Sequence, residues 1–509
     1  MNLTINDRHI DLTQIADASS VSLDKSAEFR TTIENSQKVL MEKIQSGKPI
    51  YGVTTGYGES GKNYLDYEKA EKLQQNLYRF HGCGLGELLS VEESRLIVTL
   101  RLISLSKGVS GISFELLEAM ETLLTKEVYP AIPQQGSVGA SGDLTPLSYV
   151  AAVLAGEREV IYHGEVRPAI EVFGELGIAP YHFKPKEALA IMNGTTVMSA
   201  IALAAFVKFE RTLDSFISFC AGFFEAMLAD TTSLMDFVHE VKPHPGQIEC
   251  AKKLLLRVQG SKLTRDAQLR YEEFFDYKHQ NIQDRYSVRC IPQVLGPVFE
   301  NMEISKRWLE TEINSASDNP LVCVREDRVY TGCNFYGGYI AHACDTLKIS
   351  MANVADLLDK QFASLVDEKL NNGLGENLKI GNEPYFHGFK AMQITLSSLS
   401  ADVLTRMLPG SLFSRSTESL NQDKVSMGTT SAISFRDTLV DFEKMLAVAM
   451  LGLAQAFDIR GDENLSPFSK ELHAKIRALS APLIEDRRLD NDIMLVLEQM
   501  RKGRFVQRF

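Results

Sequence analysis

Apolar positions recur at helical spacing through most of this chain. Residues 24–46 read as a helix that stops at Gly47-Lys48-Pro49. A shorter pattern through Leu73–Leu77 stops at the glycines of Arg79-Phe80-His81-Gly82-Cys83-Gly84. Ser90 with Glu93 makes a capping box for the apolar run Leu96–Leu105, and a helix from Ser113 sets Leu116, Leu117, Met120, Leu123 and Leu124 on one face. Pro185 stands where a first helical turn tolerates proline, and the alanine-rich pattern after it runs to about Ala229, which suits close helix packing. Three more long patterns cover about residues 342–371, 390–408 and 428–458. The longest apolar stretch, Met445–Phe457, carries Gln455 and is too short to cross a bilayer, so it reads as a buried helix. Strand signals are confined to two small hairpins, Glu159–Arg167 and Leu321–Tyr330. No repeat or obvious linker interrupts the pattern. Long helices joined by loops predict a mainly α protein built on a long central helix bundle.

One stretch does not fit a helix. Gly136-Ser137-Val138-Gly139-Ala140-Ser141-Gly142-Asp143 has a glycine at every third position and is bracketed by Pro133 and Pro146. Glycine admits backbone conformations closed to other residues, and a helix would not place three of them beside a proline. A tight turn running into Leu144–Leu154 is therefore expected. Such a turn can carry chemistry. If Gly142 N is forced against the Ala140 carbonyl carbon, it can attack and close a five-membered ring. Loss of two waters, one involving the Ser141 hydroxyl, leaves an exocyclic methylidene. That group is a strong electrophile, whereas ordinary side chains supply nucleophiles, acids and bases. The tripeptide by itself arises by chance in roughly one chain in five of this length, so its surroundings decide.

Composition narrows the classes. A net charge of −12 argues against a nucleic-acid partner held through its phosphates. A hydrophobic fraction of 44 % with 24 % charged residues is that of a soluble globular protein. The seven cysteines are odd in number and none forms a Cys-x-x-Cys pair, which points to reduced thiols in a cytoplasm. Residues Asn2–Arg8 lack the basic-then-apolar run of a signal peptide. Arg501–Arg504 reads as a solvated basic tail, and residues 260–285 as a loop with a short helix. His239 and His244 flank a proline-containing loop, but no third ligand has suitable spacing, so no metal site is expected. The glycine-rich loop Tyr51–Gly58 lacks the lysine, strand and helix of a phosphate cradle and alone reads as a surface turn.

The longer string Gly139-Ala-Ser-Gly-Asp-Leu-Thr-Pro-Leu147 resembles the signature of the histidine and aromatic amino-acid ammonia-lyase family, with the bacterial tyrosine lyases nearest in pattern. The resemblance implies that Ala140, Ser141 and Gly142 condense autocatalytically into 4-methylidene-imidazol-5-one (MIO), with no metal or external cofactor. It gives the Tyr51 loop the family's catalytic tyrosine and places Asn193, Gln283, Tyr286, Arg289 and Phe335 at site positions. Five separate segments agree in order. On this reading Tyr51, as tyrosinate, takes the β-proton of an α-amino acid. Arg289 holds the substrate carboxylate in a bidentate fork, assisted by Asn193. Tyr286 and Gln283 orient the amine and the MIO carbonyl, and Phe335 packs beside the ring. The resemblance further implies an ammonia-lyase-like (fumarase/aspartase-like) fold, with an N-terminal MIO domain over 1–205 and a central and C-terminal helical bundle over 206–509. It also implies a cytoplasmic homotetramer with sites built from several subunits.

Phe80 and His81 fall where family members read the substrate side chain. Phenylalanine lyases of plants have Phe-Leu there, histidine lyases Ser-His, and some tyrosine lyases His-Leu; this chain is a hybrid. Phe80 adds an aromatic wall, and His81 can hydrogen-bond a phenol hydroxyl or an imidazole. In Asn421-Gln422-Asp423-Lys424-Val425, the neutral Gln422 stands where histidine lyases usually place a glutamate. An amide cannot supply that charge to an imidazole. Arg289-Cys-Ile-Pro-Gln293 also departs from the Arg-Cys-Gln-Pro-Gln usual in histidine lyases. The order of expected substrates is tyrosine, phenylalanine, histidine. An aminomutase uses the same MIO and differs in whether ammonia adds back. A catalytically dead helical scaffold is the competing class, against which the joint presence of Tyr51, Ser141 and Arg289 argues.

Overall fold

The computed structural model describes residues 2–265, 283–381 and 383–506, apart from the side chains of Tyr67 and Glu68. Most of the expected 260–285 segment lies outside the described residues. The chain is mainly α, with short strands only. It forms two compact units. The first comprises 1–205, 305–345 and 409–435, and the second 206–304, 346–408 and 436–509. The division falls within four long helices, Thr196–Ala226, Ile291–Ile313, Gly338–Val366 and Gly428–Arg460. Among the described residues no helix is long and apolar enough to cross a membrane.

In the first unit, local signals set the helix starts. The Ser26 side chain caps Ala27–Gln45 through the Phe29 amide. Ser90 and Glu93 form the complete capping box of Val91–Leu105. Leu40, Ile44, Ile50, Val53 and Val322 pack into one apolar cluster, which ties the helix before Tyr51 to the hairpin Leu321–Cys323 and Arg328–Tyr330. The predicted hairpin near His163 is Glu159–Tyr162 with Glu165–Pro168, and Tyr129–Pro130 adds a third strand. A parallel pair, Asn2–Ile5 with Ser20–Leu23, was not anticipated by the apolar pattern.

The expected helix from Pro185 to Ala229 is corrected. Lys186 has φ +75°, so Pro185 does not open a helix. A short helix, Glu187–Met192, ends at Asn193 in extended conformation, and a new helix starts at Thr196. The break has a physical cause: the buried Arg101 guanidinium takes the Ala190 and Asn193 carbonyls.

In the second unit, Met445–Phe457 is buried as expected, and Gln455 meets the carbonyls of Leu378 and Leu483. Phe216, Phe219, Phe223 and Phe442 form a run of ring contacts at 5.9–6.2 Å. Glycines let these helices approach closely: a Cβ on Gly452 would lie 2.5 Å from the Phe362 ring. Arg501, Lys502 and Arg504 are exposed, as the solvated basic reading expects, but the segment is anchored. Arg501 pairs with the buried Glu443 at 2.6 Å, and Phe505 is buried. His239 is likewise structural, bonded to Ser233 O and Gln247.

Candidate active site

The turn expected at 136–143 is present, with Gly136, Gly139 and Gly142 all at positive φ. At Gly142 (φ +69°) this is more than conformational freedom. A Cβ there would lie 2.1 Å from the Gly194 oxygen and 2.7 Å from its nitrogen. Backbone cannot yield as a flexible side chain does, so only glycine fits. The Asp143 amide donates to Gly194 O at 2.8 Å and closes the approach.

Asp143 anchors the turn from below. Its carboxylate is fully buried and accepts from Ser137 Oγ (2.9 Å), the Met198 amide (2.9 Å) and Thr429 Oγ1. Burial raises its pKa, and these donors pull it back. The segment 426–427 covers the other side: the Ser426 amide donates to Gly139 O and the Met427 amide to Val138 O.

Two side chains named from sequence reach Ser141. Asn193 Nδ2 donates to Ser141 O at 2.9 Å, and Gln422 Nε2 lies 3.3 Å from Ser141 Oγ. Thr417 Oγ1 donates to Gln422 Oε1 at 2.8 Å, which fixes the amide's orientation. Asn193 Oδ1 is buried with no hydrogen-bond partner among the described residues. An unsatisfied buried acceptor calls for a donor.

Tyr51 lies on a loop closed around the short helix Gly58–Lys62. Its hydroxyl accepts from the Gly58 amide at 2.8 Å, and the ring is 36 % exposed. The loop is moored at both ends. A Cβ on Gly52 would lie 2.8 Å from Leu189, in the helix that leads to Asn193. The Glu59 amide donates to the Glu418 carboxylate at 3.1 Å, in the same loop as Gln422.

His81 caps the helix Tyr67–Phe80, and its Nδ1 lies 3.3 Å from Thr145 Oγ1, just beyond the triplet. Burial pulls the imidazole down to about 4, and the Arg158 guanidinium adds to the effect. His81 is therefore neutral at physiological pH. Phe80 lies against it at 4.4 Å between ring centroids, the two rings tilted by 34°, and is largely exposed. Phe335 is partly buried in a turn two residues before Gly337, where a Cβ would meet the Met198 sulfur.

Gln283, Tyr286 and Arg289 lie in the second unit. Gln283 is exposed, and Tyr286 opens a short helix with its ring 71 % exposed. The Arg289 guanidinium sits 4.7 Å from that ring, with Nε buried and unpartnered among the described residues. A cavity of about 650 Å³ in this unit is lined by Tyr286, Arg285, Lys360 and Asp367, among others.

Sequence reasoning passed over two supports of the turn. Asp143 stood inside the signature string, and an acid between glycine and an apolar helix was its signal. The signal for Arg101 was a charge inside the apolar run Leu96–Leu105.

A family model described as aromatic amino acid lyase matches residues 9–478. The chain is 35 % identical over 476 residues to a histidine ammonia-lyase of Geobacillus sp. (strain WCH70), covering 92 % of this chain and 90 % of the relative. It is 37 % identical over 452 residues to a tyrosine 2,3-aminomutase of Myxococcus fulvus, covering 86 % and 85 %. Among solved structures it is similar to a tyrosine aminomutase from Streptomyces globisporus, with TM-score 0.94, 33 % identity, and coverage of 99 % and 98 %.

Proposed function

The chain belongs to the aromatic amino acid lyase family, a family of carbon–nitrogen lyases, and from that premise we propose that it eliminates ammonia from an aromatic L-amino acid. Tyrosine is the first substrate, giving 4-coumarate, and phenylalanine the second, giving cinnamate. The reaction breaks the Cα–N bond, removes one β-proton and forms the Cα=Cβ double bond, with no change of oxidant or reductant.

The turn fits an MIO formed from Ala140, Ser141 and Gly142. The observation that carries this reading is Gly142 pressed on the Gly194 backbone while Asn193 holds Ser141 O at 2.9 Å. Asn193 and Gln422 would hold the group. When formed, it supplies an electrophile that bonds the amine and makes it a better leaving group.

The chain's own residues do the rest. Tyr51 takes the β-proton, its oxygen held by the Gly58 amide. The orphan Asn193 Oδ1 offers an acceptor to a donor in the site. Arg289, with its Nε unpartnered among the described residues, grips the carboxylate. Tyr286 and Gln283 orient the amine and the ring carbonyl, and Phe335 packs beside the ring. Phe80 walls the side-chain pocket. His81, neutral and held at Nδ1 by Thr145, has its other nitrogen for a para-hydroxyl. Assembly as a cytoplasmic homotetramer belongs to the same proposal.

A second reading is supported by the aminomutase relatives: the same elimination followed by return of ammonia to the β-carbon. The test offers tyrosine, phenylalanine and histidine separately and follows both arylacrylate absorbance and β-amino acid formation. Arylacrylate from tyrosine supports the lyase, β-tyrosine the aminomutase. Urocanate from histidine alone overturns the substrate order.

A further inference from the structure

Arg101 lies in the apolar run of helix Val91–Leu105 and is completely buried. Its guanidinium donates to Ala190 O through Nε (2.9 Å) and Nη2, to Asn193 O through Nη2 (2.6 Å) and to Ser317 Oγ through Nη1 (3.2 Å). None of these acceptors is a carboxylate. Asp318 and Asp143 act on it only through space, and burial draws its pKa down to about 10. A buried cation without a directly paired anion is costly to keep, and the chemistry assigned so far makes no use of it.

Its position shows a use. A Cβ on Gly194 would lie 2.1 Å from Arg101 Nη1, just as a Cβ on Gly142 would lie 2.1 Å from Gly194 O. Guanidinium, the 193–194 peptide and Gly142 are thus stacked with no side chain between them. Gripping Asn193 O fixes the peptide whose nitrogen faces Gly142, and it sets the residue whose amide reaches Ser141 O. We propose that Arg101 is a positioning residue for maturation: it holds the 193–194 peptide as the wall against which the Ala140–Gly142 turn is compressed. The inference rests on the MIO reading above. In the step it serves, Gly142 N bonds to the Ala140 carbonyl carbon and passes its proton to that oxygen. The resulting hydroxyl leaves with the Ser141 N–H proton, and the Ser141 side-chain hydroxyl leaves with the Ser141 Cα proton. Two waters are lost and no oxidant is needed.

A planar fork spans three acceptors; a lysine ammonium in the same volume is a point donor and cannot hold them together. The test follows intact mass after a pulse of expression in wild type, Arg101→Lys and Ser317→Ala, with melting temperature measured in parallel. Dehydration in Arg101→Lys is expected to slow on the order of 10²-fold, the scale of an ångström-level misplacement, and less in Ser317→Ala. A merely structural role lowers the melting temperature yet leaves every folded molecule dehydrated at the wild-type rate, which overturns the proposal. If Arg101→Lys does not fold, Ser317→Ala decides: slowed dehydration supports the role, an unchanged rate refutes it. A wild-type chain at its full sequence mass removes the MIO reading itself, and Arg101's role with it.

Discussion

Around Gly142 the nearest atoms are the backbone of Gly194, and Asp143 beside it is fully buried with three hydrogen-bond donors. Around Tyr51 the ring is about one-third open to solvent, and its hydroxyl accepts from one amide of its own loop. Both regions belong to the first unit, and both are rich in glycine. In the triplet turn the glycines admit contact between backbones; in the Tyr51 loop Gly52 and Gly56 are buried in the stretch 52–56, while Tyr51, Glu59 and Ser60 stay at the surface. The difference matches two tasks. Forcing an amide nitrogen onto a carbonyl carbon needs walls that do not give, which buried hydrogen-bonded backbone provides. Admitting a substrate and meeting its β-carbon needs a group that can be reached, and loops carry such groups.

The sharpest way to break the rigid half is Ser141→Ala, which removes the hydroxyl that must leave. Activity is expected to fall by about 10⁴-fold or more, the scale seen when a covalent catalytic group is lost. On the open half, Tyr51→Phe is expected to cost about 10²–10⁴-fold in kcat with the melting temperature unchanged. Turnover near normal removes Tyr51 as the base. Lys186 and Asp318 form a fully buried pair at 2.5 Å behind the turn. Lys186→Met strands the carboxylate, and chemical denaturation should show a loss of about 3–5 kcal/mol.

His81 tests the ground between the halves. Its folded pKa, about 4, lies below the free value of 6.5, so the unfolded chain takes the proton first. Stability is complete above about pH 6.5 and falls as pH drops towards 4. His81→Leu should flatten that fall in a melting series and lower the tyrosine-to-phenylalanine preference; an unchanged ratio rejects its contact with the para-hydroxyl. The smallest effect is expected from Glu418→Ala, which frees the Glu59 amide. Losing one exposed hydrogen bond is worth about 1 kcal/mol, so the melting temperature should fall by no more than about 2–4 °C while kcat drops a few-fold.

Much of the fold was legible because the long helices are strongly periodic and their caps are local. The predicted 428–458 became Gly428–Arg460, and Ser90 with Glu93 capped as read. The break at Asn193 was not legible, since its cause, Arg101, lies 92 residues away in the chain. Pro297 hid the length of Ile291–Ile313, and the pairing of Arg501 with Glu443 depends on a partner that no local pattern names. The tightness of the turn at Gly142 could be read from three glycines, but not that its wall is another glycine's backbone. Gln422 stood out for its lack of charge; its contact with Ser141 Oγ depends on the fold of the loop 414–424 beside the turn.

The most direct test of the central claim is the mass of the proteolytic peptide that spans residues 136–147 in freshly purified, active protein. The account predicts a mass two waters below that of the sequence. A peptide at its full sequence mass in active material contradicts it.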